Sequence, residues 1–138
     1  MVVGAVIAWI ATYVTAIIAM VLYFTSGLVA VVTDQLAALS AGNIEKAYVY
    51  TSKDFQKRTS IDGFKQFIND YPSLKNNESW FFNNRAIENN MGMLAGTLTS
   101  KDGAKTPISY RLIWEDGAWR ILGIQVIPTG AGIKVQGE

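Results

Sequence analysis

Cysteine and histidine are both absent from the 138 residues. Without them the chain has no thiolate nucleophile, no disulfide, no imidazole base and none of the usual ligand sets for zinc, haem or iron–sulfur clusters. Cysteine usage therefore says nothing about the redox state of the compartment. Excess charge is missing too. The 12 basic and 11 acidic side chains leave a net charge of +1, and a balanced surface offers no concentrated basic face to phosphates, so nucleic acid is set aside as a partner. Charge is missing altogether from the first 33 residues, since Asp34 is the first of the acidic and basic residues.

That uncharged run, MVVGAVIAWIATYVTAIIAMVLYFTSGLVAVVT, exceeds the ~20 apolar residues a bilayer core requires and would extend roughly 50 Å as one helix. A secretory signal peptide fits less well, because the basic leading region is missing, the apolar run is too long, and Trp and Tyr are scattered through it. Residues 1–33 are expected to form a transmembrane or assembly helix. Helical spacing at Val32, Leu36 and Leu39 carries it on to about residue 41, where Gly42 is a natural stop and Ser26-Gly27 the expected point of bending. No basic residue precedes the helix to fix its orientation. The expected location is a cell membrane, crossed once, with the domain on the extracytoplasmic side or in an extracellular filament.

Small residues recur along this segment at Gly4, Ala8, Ala11, Thr15 and Ala19, and Ser26 and Ala30 continue the same face. A smooth face of this kind lets another helix approach closely. Gly, Ala and Thr are also common in any spanning helix, and the stripe alone does not separate the two readings. The opposite side carries bulk in Trp9, Tyr13, Ile17, Met20 and Phe24.

The remainder has the composition of one soluble domain, over residues 34–128, followed by a Gly-rich tail over 129–138. Ile44 to Tyr50 reads as a short helix. Ser60 caps another whose stripe is Phe64, Phe67, Ile68 and Tyr71, ended by Pro72. The Asn-rich stretch from Asn76 to Asn90 is read as a loop and a first strand. From Met91 the pattern alternates, with turns at Lys101-Asp102-Gly103 and Asp116-Gly117, which predicts three consecutive antiparallel strands. In the last, simple alternation puts Trp119 and Ile121 on one face and Leu122, Ile124 and Val126 on the other, as in a strand covered on both sides. Helices first and a meander second predicts an α+β fold with helices on one face of the sheet.

The run Asp34-Gln35-Leu36-Ala37-Ala38-Leu39, then Gly42, Ala47-Tyr48, Thr51-Ser52-Lys53-Asp54-Phe55, Phe64, Phe67, Tyr71-Pro72-Ser73-Leu74 and Trp119-Arg120-Ile121-Leu122-Gly123 resembles the small nuclear-transport-factor-like (cystatin-like) cone domains of bacteria. It is similar in particular to an uncharacterised branch found behind a single N-terminal anchor. The resemblance covers roughly residues 30 to 127. It implies helices packed on a curved antiparallel sheet of about four strands, and no activity.

Cone domains can hold a small ligand in the mouth of the sheet, and Tyr48, Tyr110, Trp114 and Trp119 are the candidate pocket residues here. Core packing is the competing role for the two tryptophans. Asp54, Asp70, Glu78 and Glu88 are the carboxylates nearest aromatic residues, yet none matches a catalytic motif and solvated carboxylates are the rule. No catalytic residue, metal ligand or cofactor is assigned. Lys53, Lys57 and Arg58 form a small basic cluster that suits anionic headgroups or simply a solvated helix face. Asn77-Glu78-Ser79 fits the N-glycosylation triplet. An enzyme is a third reading, which the missing His and Cys disfavour without forbidding; two functions come ahead of it. The first is a non-catalytic subunit of a cell-envelope assembly, a membrane complex or pilin-like filament, packing through its N-terminal helix on lipid or on neighbouring helices as a homo-oligomer or part of a larger complex. The second is a membrane-tethered module binding a small ligand or peptide in the cone.

Overall fold

The computed structural model describes residues 2–127, without the side chains of residues 2 and 21–24. The expected stop at Pro128, the tail after it and the side chain of Phe24 lie outside the described residues.

Helix α1, Val2–Ser40, is continuous through Ser26-Gly27. One helix serves two environments. Every side chain of residues 3–20 is exposed, whereas Leu28, Val32, Leu36 and Leu39 are fully buried. Their spacing of four, four and three lays one apolar stripe on the sheet. The packed segment includes Thr25 and Leu28, so the charge break at Asp34 falls inside it rather than at its edge. Gly42 ends the helix at φ +79°. Its N–H donates to Leu39 O at 3.0 Å and that of Asn43 to Ala38 O at 2.9 Å, the paired bonds of a Schellman motif. Asn43 then caps α2, Ile44–Val49, by accepting from the Lys46 N–H.

Ser52 and Ser60 accept from the third N–H of the next two helices, α3 (Lys53–Arg58) and α4 (Ile61–Asp70). A 3₁₀ turn, Pro72–Leu74, leads into the sheet. Strands β1 (Asn77–Glu88), β2 (Met91–Ser100), β3 (Lys105–Glu115) and β4 (Ala118–Val126) form an antiparallel meander in that order. Asp116 and Gly117 both adopt positive φ, as a two-residue type I′ hairpin demands.

Besides a register slip between Asn77 and Ser79 at the start of β1, two irregularities bend this sheet. In β1 the register slips between Phe81 and Asn84, and Phe82 is buried there, edge-on to Tyr110 at 6.1 Å between ring centroids. In β4 the slip falls at Leu122, because Ile121 pairs with Leu112 while Gly123 pairs with Arg111. Leu122 is the extra residue of a bulge, and it shifts the alternation by one. Ile121, Ile124 and Val126 therefore share the inner face with Leu112, Tyr110 and Ile108. This corrects the expectation of a last strand apolar on both faces. The edge of β4 is partly covered: Ser52 N–H donates to Ile121 O at 2.8 Å and Ile121 N–H to Tyr50 O at 2.9 Å.

Asn77 is buried, and its Nδ2 donates to Leu36 O at 3.1 Å and Leu74 O at 2.7 Å. The amide ties helix α1 to the start of the sheet and is closed to a glycosyltransferase, which removes the glycosylation reading.

Candidate functional site

The four aromatic residues singled out for a pocket are not brought together. Tyr48 packs edge-on between Phe55 and Phe64, and its hydroxyl donates to Thr59 O at 2.7 Å. Its polar end is thus engaged in fastening α2 to the loop before α4. Tyr110 belongs to a cavity of about 650 Å³ between α3, α4 and strands β2 to β4. Trp114 and Trp119 line a different one, of about 560 Å³, where α1 leaves the domain.

The first cavity has an apolar wall and a cationic rim. Phe55, Phe67, Tyr110 and Ile124 supply the wall from the inner side. Met93, Ser109, Arg111, Gly123 and Gln125 also line it, and by strand alternation these stand on the opposite face of the sheet. The opening therefore runs round edge strand β4 beside the bulge at Leu122. Gly123 makes the passage: the Arg111 guanidinium lies over it, with Nη2 3.4 Å from where a Cβ would stand. From the other side Arg58 donates from Nη2 to Leu122 O at 2.8 Å, so a second guanidinium is fixed at the rim. Among the described residues no carboxylate lines this cavity. Asp54 faces an adjoining hollow together with Lys57 and the two arginines.

Tyr110 is the polar group that the fold leaves without a partner here. It is fully buried, and its hydroxyl forms no hydrogen bond. Burial pushes its phenol far above the ordinary range, so the group stays protonated and acts only as a neutral donor or acceptor. Such a hydroxyl costs about 1–3 kcal/mol relative to a satisfied one.

Asp70 accepts from Gln66 on the exposed side of α4, and Glu78 and Glu88 are exposed on β1. Lys53, from the basic cluster, pairs with Asp116 at 2.7 Å, and its backbone N–H donates to Glu115 Oε2 at 3.1 Å. Both contacts pin the start of α3 to the β3–β4 turn. The pairing raises the lysine pKa and lowers that of the aspartate, chiefly through the hydrogen bond between them. On α1 the small residues Gly4, Ala8, Ala11, Thr15 and Ala19 are exposed, as are Ser26 and Ala30 on the domain's side. The hydroxyls of Thr12 and Thr15 donate back to Ala8 O and Ala11 O at 2.9 Å, which smooths that face further. Among the described residues no three acidic, His or Cys side chains converge as a metal site.

A bent four-stranded meander with helices on its inner face, and a cavity at the sheet's edge, defines the nuclear-transport-factor-like class of α+β domains. Solved structures agree on the fold. An NTF-2 like protein of unknown function from Shewanella oneidensis MR-1 superposes with TM-score 0.57 at 17% identity, over 74% of this chain and 97% of the other. A putative NTF2-like transpeptidase from Campylobacter jejuni does so with TM-score 0.52 at 12% identity, over 65% and 92%. A phospholipid-binding protein from Ralstonia solanacearum, in complex with a phospholipid, reaches 0.49 at 18% identity over 74% and 76%, too low a likeness to carry an argument about this chain. The chain belongs to the family described as Domain of unknown function (DUF4864), whose pattern matches residues 24–132. The match opens one residue before Thr25, the first buried residue of α1 among those whose side chains are described. No curated protein matches the chain. Helix α1 is long and apolar enough to cross a membrane.

Proposed function

We propose that this chain is a membrane-anchored binding module: α1 crosses the bilayer, and the domain takes a small amphiphilic anion into the cavity at the edge of β4. The observation that carries the reading is a cavity rimmed by Arg58 and Arg111 and lined by Tyr110, whose buried hydroxyl has no partner. A volume of about 650 Å³ lies in the range of small-molecule sites, which combine an apolar lining with a few convergent polar groups. An anionic head would meet the guanidiniums, an apolar body would lie against Phe55, Phe67 and Ile124, and a polar atom would satisfy Tyr110.

Octanoate and octanol separate charge recognition from simple burial. The full chain in mild detergent is expected to gain thermal stability saturably with octanoate and little with octanol, since a ligand bound only by the folded state stabilises by mass action. Arg58→Ala with Arg111→Ala should remove the difference between the two. Tyr110→Phe should act in opposite directions on its two readouts: stability without octanoate rises by about 1 kcal/mol, while octanoate affinity falls about tenfold. Equal shifts with the alcohol and the acid would rule the reading out.

Assembly through α1 is a second reading, supported by the shallow groove that Ala11, Thr12, Thr15, Ala16 and Ala19 form on its exposed face. Under it, Ala8→Leu with Ala11→Leu reduces particle size in mild detergent and leaves the domain's unfolding unchanged. Identical particle size in the variant and the parent would end it. The filament form of this reading draws no support from the family match or from the neighbours' folds.

A further inference from the structure

The second cavity, at the root of α1, has no part in the octanoate site. It is lined by Met20 and Thr25 of α1, Arg85 and Ile87 of β1, and Trp114 and Trp119. The two indoles meet edge to face at 5.5 Å between centroids. Trp119 is pressed onto the helix at Gly27, where an added Cβ would stand 3.1 Å from its Cδ1. That glycine is therefore a seat for an indole rather than a hinge. Trp114 remains 46% exposed. Arg85 donates from Nε to Phe82 O at 3.2 Å and takes part in neither of the ion pairs found among the described residues. The cavity thus joins an aromatic and aliphatic wall to a guanidinium without a carboxylate partner.

Position along α1 decides what such a site meets. Residues 3–20 are exposed throughout and rise about 27 Å as helix, close to the ~30 Å of a bilayer's hydrocarbon core. Met20, at the end of that stretch, is itself part of the cavity wall. If α1 spans the bilayer as proposed above, the cavity opens where glycerol and phosphate groups lie, the depth at which Trp is enriched in membrane proteins. The geometry points to a phospholipid site: the phosphate on Arg85, the upper acyl chain against Met20 and the indole pair, and Trp114 embedded in the interface. The domain would then rest on the membrane by this end instead of swinging free on its helix.

The inference rests on the anchor reading, and tryptophan quenching distinguishes failure of one from failure of the other. The full chain is placed in vesicles of phosphatidylcholine and phosphatidylglycerol containing phosphatidylcholine brominated near the top of its acyl chains. Trp80→Phe keeps Trp9 and the indole pair; adding Trp9→Phe leaves the pair alone, so the difference reports Trp9. Loss of a large share of the pair's emission is expected. If Trp9 is quenched and the pair is not, the interface site is wrong and the anchor stands. Quenching of neither overturns the anchor itself. For the phosphate, the full chain extracted in mild detergent is weighed by native mass spectrometry against added phosphatidylglycerol. Arg85→Ala is expected to weaken retention about fivefold, the effect of one basic residue at an anionic membrane surface. Undiminished retention would overturn the assignment of Arg85.

Discussion

Gly96→Ala is expected to lower the stability of the domain by about 3 kcal/mol or more, the upper end of what overpacking costs. Gly96 lies on β2 opposite the slip in β1. A Cβ there would overlap the carbonyl oxygen of Phe81 and come within 2.8 Å of Phe82 Cα. Both obstacles are backbone, so no rotamer change relieves them. The slip also turns Phe82 into the core against Tyr110, and pushing β1 away would undo that contact as well. For a domain of this size the loss lowers Tm by roughly 12 °C or more. Gly103→Ala is the matching control: at φ +88° the residue pays backbone strain of about 1 kcal/mol, but its Cβ would meet nothing within 4 Å. Equal melting temperatures for the two variants would show that the approach of β1 to Gly96 is not fixed in the folded protein.

Local chemistry made much of this fold readable beforehand. The Gly42 stop, the Ser60 cap, the stripe of α4 and the Asp116-Gly117 turn each rest on residues adjacent in sequence, and each is where it was expected. Helix α3 was anticipated only as the solvated helix face offered for Lys53, Lys57 and Arg58, without bounds. It is only six residues long, too short for a stripe to form, and its one signal was Ser52 standing three residues before Phe55. The bulge at Leu122 could not be read because Leu-Gly-Ile continues an apolar run in either phase, and only pairing with β3 selects one. The glycosylation triplet at Asn77 misled for a similar reason: burial depends on Leu36, far away in the chain.

The cavity followed the same division. Tyr110 stood among the candidates because cone domains can hold a ligand in the mouth of the sheet, but that its hydroxyl lacks a partner depends on the whole surrounding fold. Arg58 was noticed only as part of a basic cluster. Arg111 was not singled out, and Gly123 gave no sign that a guanidinium would lie over it. Trp114 and Trp119 were paired on sound grounds, as neighbours across a hairpin. The contact of Trp119 with α1 was hidden, because charge was the boundary marker in the sequence and the packed part of α1 begins within the uncharged run.

The division of α1 between two environments carries the whole functional account, and its energetic consequence is large. Removing residues 1–33 would strip away Leu28 and Val32, both fully buried, each worth about 1.5–3 kcal/mol of burial. It would also uncover Trp119 and the inner face at Gly92, which Leu28 touches. Set against a total stability of about 5–15 kcal/mol for an ordinary domain, that loss is expected to abolish cooperative folding. Removing residues 1–20 takes away no buried side chain among the described residues, since 3–20 are all exposed. Thermal unfolding of the two shortened chains in buffer without detergent, followed by near-ultraviolet circular dichroism, is the direct measurement. The chain beginning at Val21 should be soluble and melt cooperatively, and the chain beginning at Asp34 should show no fixed aromatic packing. Two chains that fold equally well would contradict the account, as would a chain from Val21 that still needs detergent to stay in solution.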